Sequence, residues 1–157
     1  MELSETVVIL VHMVVFVAFT NRYFVGLFFK LIRGDRYDES IDGYEPTVSV
    51  VVPMYNEGRR IHDTLESLAN LDYPRDRYEV LVVDDCSTDD SGAWAARVAA
   101  RYSHVHVMRN PHNMGKRRGI NRAVRRSDAE IIVSVDSDVV VERDVIRQLV
   151  ARFVRPE

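Results

Sequence analysis

The chain has 157 residues, enough for about one domain on the usual prior of roughly 100 to 200 residues each, and 46% of them are hydrophobic, enough to build a core. A formal net charge of −3, from 21 basic and 24 acidic residues, excludes the strongly basic surface by which nucleic-acid binders are recognised, so any anionic ligand must be held by local charge. The single cysteine, Cys86, excludes an intrachain disulfide and gives no support for an oxidising compartment.

The first 33 residues differ from the rest. Val7 to Thr20 is almost unbroken Val, Ile, Leu, Met and Phe, and Tyr23 to Phe29 resumes after Asn21 and Arg22. Together the two runs predict an N-terminal transmembrane anchor over 1–33, which needs about 20 apolar residues. Glu2 and Glu5 stand where a signal peptide carries basic residues, and no small-residue cleavage site follows, which favours an anchor over a leader. Acidic residues before the run and Lys30, Arg33 and Arg36 after it predict a globular part on the cytoplasmic side of an inner or plasma membrane. His12, inside the run, reads as a packing histidine. Residues 34–46 are polar, with two glycines and a proline, and read as a linker.

From Thr47 onward, β-branched runs alternate with stretches of helical period. The pattern predicts strands over Val48–Val52, Glu79–Val83, Val105–Met108 and Ile131–Val135, each followed by a helix. The helices expected are Arg59–Asn70, Ser91–Tyr102, Lys116–Arg126 and Glu142–Val154. Four such units define an α/β fold with an open, mostly parallel sheet flanked by helices, whose ligand crevice lies beyond the carboxyl ends of the strands. Polar groups gather where that crevice is expected, at Pro53 to Glu57, Asp84 to Asp90, Arg109-Asn110 and Asp136 to Asp138.

Asp136 and Asp138 leave an apolar strand together, so they need a cation or a position in water. A hard cation such as Mg²⁺ is held by one or two carboxylates plus ligand phosphate oxygens, which suits so sparse a pair; read alone, however, the pair is better explained by a solvated loop with Asp138 or Ser137 capping the next helix. Asp84 and Asp85 end a buried run, where an aspartate can accept a hydrogen bond from the edge of a base, while Ser87 to Ser91 reads as a turn and helix cap. Gly115-Lys116-Arg117-Arg118-Gly119 sets three cations at a helix start that already favours an anion, as a diphosphate site or as a solvated basic patch. Arg122, Arg125 and Arg126 read as surface charge. Tyr55 offers either a ring face to a base or core filling.

Taken in order, VVPMYNE (Val51–Glu57), VVDDCSTDDS (Val82–Ser91), GKRRGIN (Gly115–Asn121) and VDSD (Val135–Asp138) resemble the family 2 glycosyltransferases of the GT-A fold. With an N-terminal membrane segment, the chain looks most like their hyaluronan synthase, chitin synthase and nodulation chitooligosaccharide synthase branch. The resemblance implies a UDP-sugar donor, Mg²⁺ or Mn²⁺ as cofactor, and a growing glycan as acceptor. It implies that Pro53, Tyr55 and Glu57 belong to the nucleotide-binding set and that Asp85, with Asp84 beside it, meets the uracil edge. Lys116 would meet the diphosphate, Asp136 the ribose and donor sugar, and Asp138, with Asp136, the metal. Those synthases carry a later acidic motif for the general base and a Q-x-x-R-W motif, so residues 47–157 are expected to form the donor-binding half, completed by a separate chain or left incomplete. A non-catalytic membrane-tethered nucleotide-binding module and a transferase making a lipid-linked monosaccharide are the alternatives.

Overall fold

The computed structural model describes residues 3–33 and 43–153, as two separate units divided near residue 38. Most of the expected linker, residues 34–42, and the end of the last expected helix lie outside the described residues.

The first unit is one helix, α1 (Leu3–Arg33). Its apolar side chains are exposed from Val7 to Phe19, Ile9 at 49% and Phe16 at 70%. His12 does not pack against a core; its Nδ1 lies 2.8 Å from the Val8 carbonyl one turn back, which satisfies it within its own helix. Among the described residues no helix is long and apolar enough to cross a membrane, so the expected transmembrane anchor is not met. The run from Val7 to Phe19 covers about 20 Å at 1.5 Å per residue, short of a hydrocarbon core of about 30 Å, before Thr20, Asn21 and Arg22 interrupt it.

The second unit contains β1 (Val48–Met54), α2 (Arg60–Ala69), β2 (Tyr78–Asp84), α3 (Ser91–Ala99), β3 (Val105–Arg109), α4 (Lys116–Arg126), β4 (Ile131–Ser134) and α5 (Val145–Val150). The strands form a parallel sheet in the order β3-β2-β1-β4. Side chains alternate between its faces. Val48, Val50, Val52 and Met54 of β1 and Tyr78, Val80 and Val82 of β2 pack with Ile61, Leu65 and Leu68 of α2, Ala95 and Val98 of α3, and Ile146 of α5. The opposite residues, Val51, Leu81 and Val83, meet Ala123 of α4. This second face is thin, and α4 approaches it closely: a Cβ on Gly119 would stand 3.3 Å from Val83 Cγ1.

The helical period of Ile61, Leu65 and Leu68 places α2 within a residue of expectation at each end, and α4 matches at both ends. The last helix is shorter than Glu142–Val154 predicts. Val139, Val140 and Val141, stiff at χ1, precede it in non-helical backbone, and α5 begins only after Asp144. β1 runs two residues past Val52 and takes in Pro53, whose position explains why the sheet opens there. Odd-numbered β1 residues turn their backbone groups toward β4, as Thr47 and Val51 do in accepting from Ile131 and Val135. The β1–β4 pairing ends at Val51↔Ser134, so the missing N–H of Pro53 falls where β4 has already turned away.

Candidate functional site

β1 pairs with β2 on one side and β4 on the other, so the strand order reverses between β1 and β4. Open α/β sheets bind ligands beyond the carboxyl ends of the strands at such a switch point. A cavity of about 270 Å³ lies there. Pro53, Met54, Tyr55 and Glu57 line it from the end of β1, and Asp85 from the end of β2. Lys116 enters from the first turn of α4, and Asp136, Ser137 and Asp138 follow β4.

The wall after β1 is held by the loop after β2. Asn56 adopts φ 54°, a left-handed conformation that asparagine tolerates, and its Oδ1 accepts from Thr88 N–H at 2.8 Å. Its own N–H donates to Ser87 Oγ. Ser91 Oγ accepts from both Glu57 and Gly58 N–H at 2.8 Å, and Asp89 accepts from Gly58 and Ser91. The expected structural role of Ser87 to Ser91 is therefore a brace across two loops, and α3 itself carries no side-chain cap. The Ser91 hydroxyl bond, working against a smaller burial effect, holds the Asp89 carboxyl below the usual range.

The adjacent aspartates after β2 face opposite sides of the sheet, as the two-residue period requires. Asp84 points to the α3 layer, 1% exposed, where it accepts from Ser87 N–H at 2.8 Å and pairs with Arg109 at 3.3 Å. It does not line the cleft, and that corrects its expected place beside Asp85 at a base edge. Asp85 faces α4. Its Oδ1 accepts from Asn110 Nδ2 and Met114 N–H, each at 2.8 Å, and its Oδ2 from Gly115 N–H at 2.7 Å. Burial pushes this carboxyl up, but the bonds from Met114, Asn110 and Gly115 together outweigh it and hold the group below the usual range.

Of the three cations at the start of α4, only Lys116 lines the cleft; Arg117 and Arg118 are exposed outside it. Lys116 Nζ lies 2.5 Å from Asp136 Oδ1, both side chains 60% exposed, a pairing worth at most about 1 kcal/mol and readily exchanged. Ser137 Oγ donates to Glu57 Oε1 at 2.7 Å, and its carbonyl accepts from buried Thr64 at 2.9 Å, so α2 fixes the backbone between Asp136 and Asp138. The sequence places Met54, Asn110 and Ser137 at strand ends without assigning them a role in the cleft, and it reads Arg122 as surface charge.

Four acidic side chains, Glu57, Asp85, Asp136 and Asp138, share the cleft with one lysine. An anionic ligand entering such a site needs added positive charge. Asp136 and Asp138 supply exposed, hard oxygen donors, and among the described residues no group of three or more His, Cys, Asp or Glu forms a cage. That donor set fits a small divalent cation that shares its shell with ligand oxygens.

The fold and this cleft define an α/β ligand-binding domain of GT-A type. The Glycosyl transferase family 2 profile matches residues 49–157, and the chain belongs to that family. It is 34% identical over 125 residues to a beta-monoglucosyldiacylglycerol synthase of Nostoc sp., covering 78% of this chain and 27% of that protein. It is 36% identical over 112 residues to an N-acetylglucosaminyltransferase of Rhizobium leguminosarum bv. phaseoli, covering 70% and 26%. The chain thus spans about a quarter of the length of these curated relatives. Among solved structures, the mannosyltransferase PcManGT of Pyrobaculum calidifontis, in complex with GDP-Man and Mn²⁺, superposes with a TM-score of 0.68 at 31% identity, over 89% of this chain and 43% of that one. TarS of S. aureus in complex with UDP-GlcNAc gives 0.60 at 32% identity, over 67% and 30%.

Proposed function

We propose that this chain binds the UDP-sugar donor of a membrane-associated glycosyltransferase, together with Mg²⁺ or Mn²⁺. The observation that carries the reading is the excess of carboxylates around Lys116 at the switch point, a site that can take a diphosphate only with a divalent cation. Neighbours solved with Mn²⁺ and GDP-Man and with UDP-GlcNAc support the same ligand class. Asp138, with Asp136, holds the cation. Lys116 leaves Asp136 for the diphosphate. Tyr55, 46% exposed at the mouth, offers its ring face to the base beside Pro53, and Asp85 accepts an N–H from the base edge. Glu57 acts through Ser137, which it holds in place. When held there, the cation would supply positive charge against the diphosphate leaving group.

The acceptor in this proposal is a growing glycan, as in the hyaluronan and chitin synthase branch that the sequence motifs resemble. A second reading, transfer to a membrane lipid, draws on the likeness to the diacylglycerol-modifying synthase. Both place α1 at a cytoplasm-facing membrane, supported by its exposed apolar side chains and the basic residues that follow. Residues 1–157 are assigned donor binding; transfer by this chain alone, or with a separate chain, is a distinct readout.

The test is calorimetric titration of the full chain in detergent with UDP, with and without Mn²⁺. Binding that requires Mn²⁺ is expected. A folded chain that takes up UDP under neither condition overturns the reading. Radiolabelled UDP-sugar supplied to membranes then separates the acceptors, since a lipid product partitions into organic solvent and a polymer does not.

A further inference from the structure

The carboxylate of Asp85 has two oxygens with about four acceptor sites. Three are filled from within the protein: Oδ1 by Asn110 and Met114, Oδ2 by Gly115. One site remains, on Oδ2. Asn110 is 2% exposed, and its amide is fixed from both sides, since an ionised Asp85 only accepts and Arg122 only donates. Arg122 Nη1 donates to Asn110 Oδ1 at 2.5 Å and to the Arg109 carbonyl at 3.0 Å. A guanidinium has no acceptor, so Oδ1 of Asn110 must face Arg122 and Nδ2 must face Asp85. The donors from Asn110, Met114 and Gly115 therefore set how many hydrogen bonds the cleft aspartate has left.

We propose that Asn110, held between Asp85 and Arg122, is a specificity-determining positioning residue that restricts Asp85 to a single N–H on the donor's base. The inference rests on the donor-site reading given above. Uracil offers one N–H, at N3, flanked by carbonyls, and one acceptor site satisfies it. Guanine offers two adjacent donors, N1–H and the exocyclic amino group, and a carboxylate takes both only when each of its oxygens has a site to spare. With Oδ1 filled, the guanine amino group gains nothing from Asp85 and loses its water. Two structural neighbours of this chain carry these different bases, one in GDP-Man and one in UDP-GlcNAc, so the family's fold alone does not set the choice.

The test separates donor count from ring size. UDP bound to the full chain in Mn²⁺ is competed with GDP and with inosine diphosphate, a purine that keeps N1–H and lacks the amino group. In the wild-type chain GDP is expected to compete no better than inosine diphosphate. In Asn110→Ala, which frees a site on Oδ1, GDP is expected to become about tenfold the better of the two, the usual scale of one hydrogen bond to a charged group. Arg122→Met leaves the Asn110 amide still donating to Asp85, so it should stay at the wild-type ratio, as should Arg122→Lys. General damage to the site lowers both purines together and leaves the ratio unmoved. A wild-type chain that already favours GDP tenfold over inosine diphosphate overturns the proposal. So does a folded Asn110→Ala chain with the wild-type ratio; if that variant does not fold, the same outcome in Asn110→Val, which also lacks the donor, decides. A wild-type chain that binds no UDP fails earlier, at the donor-site reading itself.

Discussion

Two pairs of aspartates leave strands of the same sheet and read alike in the sequence, yet they live in opposite conditions. Asp84 and Asp85, after β2, are 1% and 6% exposed and hold five bonds and ion pairs to Ser87, Arg109, Asn110, Met114 and Gly115. Asp136 and Asp138, after β4, stand in solvent, and Asp136 has an exchangeable lysine for company. The sheet order explains the contrast. β2 lies between β1 and β3, so its end is enclosed by loops that supply N–H donors, whereas β4 turns away from β1 and leaves its carboxylates at an opening. The first pair is mostly spent on the protein, with one acceptor site left on Asp85; the second is left with far more acceptor capacity to give to a ligand.

Substitutions can break that comparison. Asp85→Ala removes a carboxylate from three buried or half-buried donors and is expected to cost about 3 kcal/mol in urea unfolding, the largest effect. The same variant carries a pH signature. The Asp85 carboxyl is held below its ordinary range in the folded state, so its contribution is fully present above the unfolded carboxylate value near about 4 and is lost as pH falls through the lower folded value. Asp85→Ala should therefore flatten the acid limb of the stability profile, and an unchanged limb would show that its bonds hold either form equally. Asp84→Ala loses the Ser87 bond and a half-screened pairing with Arg109, for about 2 kcal/mol. Were Asp84→Ala to keep its stability and lose UDP, the division between shaping and binding aspartates would be wrong. Asp138→Ala and Lys116→Ala should change stability by less than about 0.5 kcal/mol while weakening Mn²⁺-dependent UDP binding about tenfold or more. Calorimetry and unfolding on the same samples check both halves of that statement.

Much of this architecture could be read before any coordinates, because buried parallel strands are near-continuous runs of Val, Ile and Leu and amphipathic helices such as α2 repeat on a helical period. The same sequence also held a clue that was easy to pass over: Asp84 and Asp85 are neighbours on a strand, and neighbours on a strand cannot face the same way. Arg122 was opaque for a different reason. Nothing in its spacing along α4 distinguishes a guanidinium in water from one that reaches the Arg109 carbonyl and the Asn110 amide, since these partners are the last residue of β3 and the one after it, brought beside α4 only by tertiary contacts. The length of α1 was legible, and the apolar run within it proved shorter than a bilayer requires among the described residues.

The pairing of β1 with β4 also governs when the site can exist. Thr47 N–H bonds to Glu130 across 83 positions of sequence, and Val48 to Val51 wait for Ile131 to Ser134 to arrive beside them. Closing so long a loop is entropically expensive and slow, whereas β1, β2 and β3 are joined by shorter crossovers that can form first. Asp85 and its cradle of donors can thus settle early, around a half-built sheet. Asp136 and Asp138 reach the opening only with the final strand, so a chain emerging from synthesis completes the Asp85 wall of the cleft before these two carboxylates arrive.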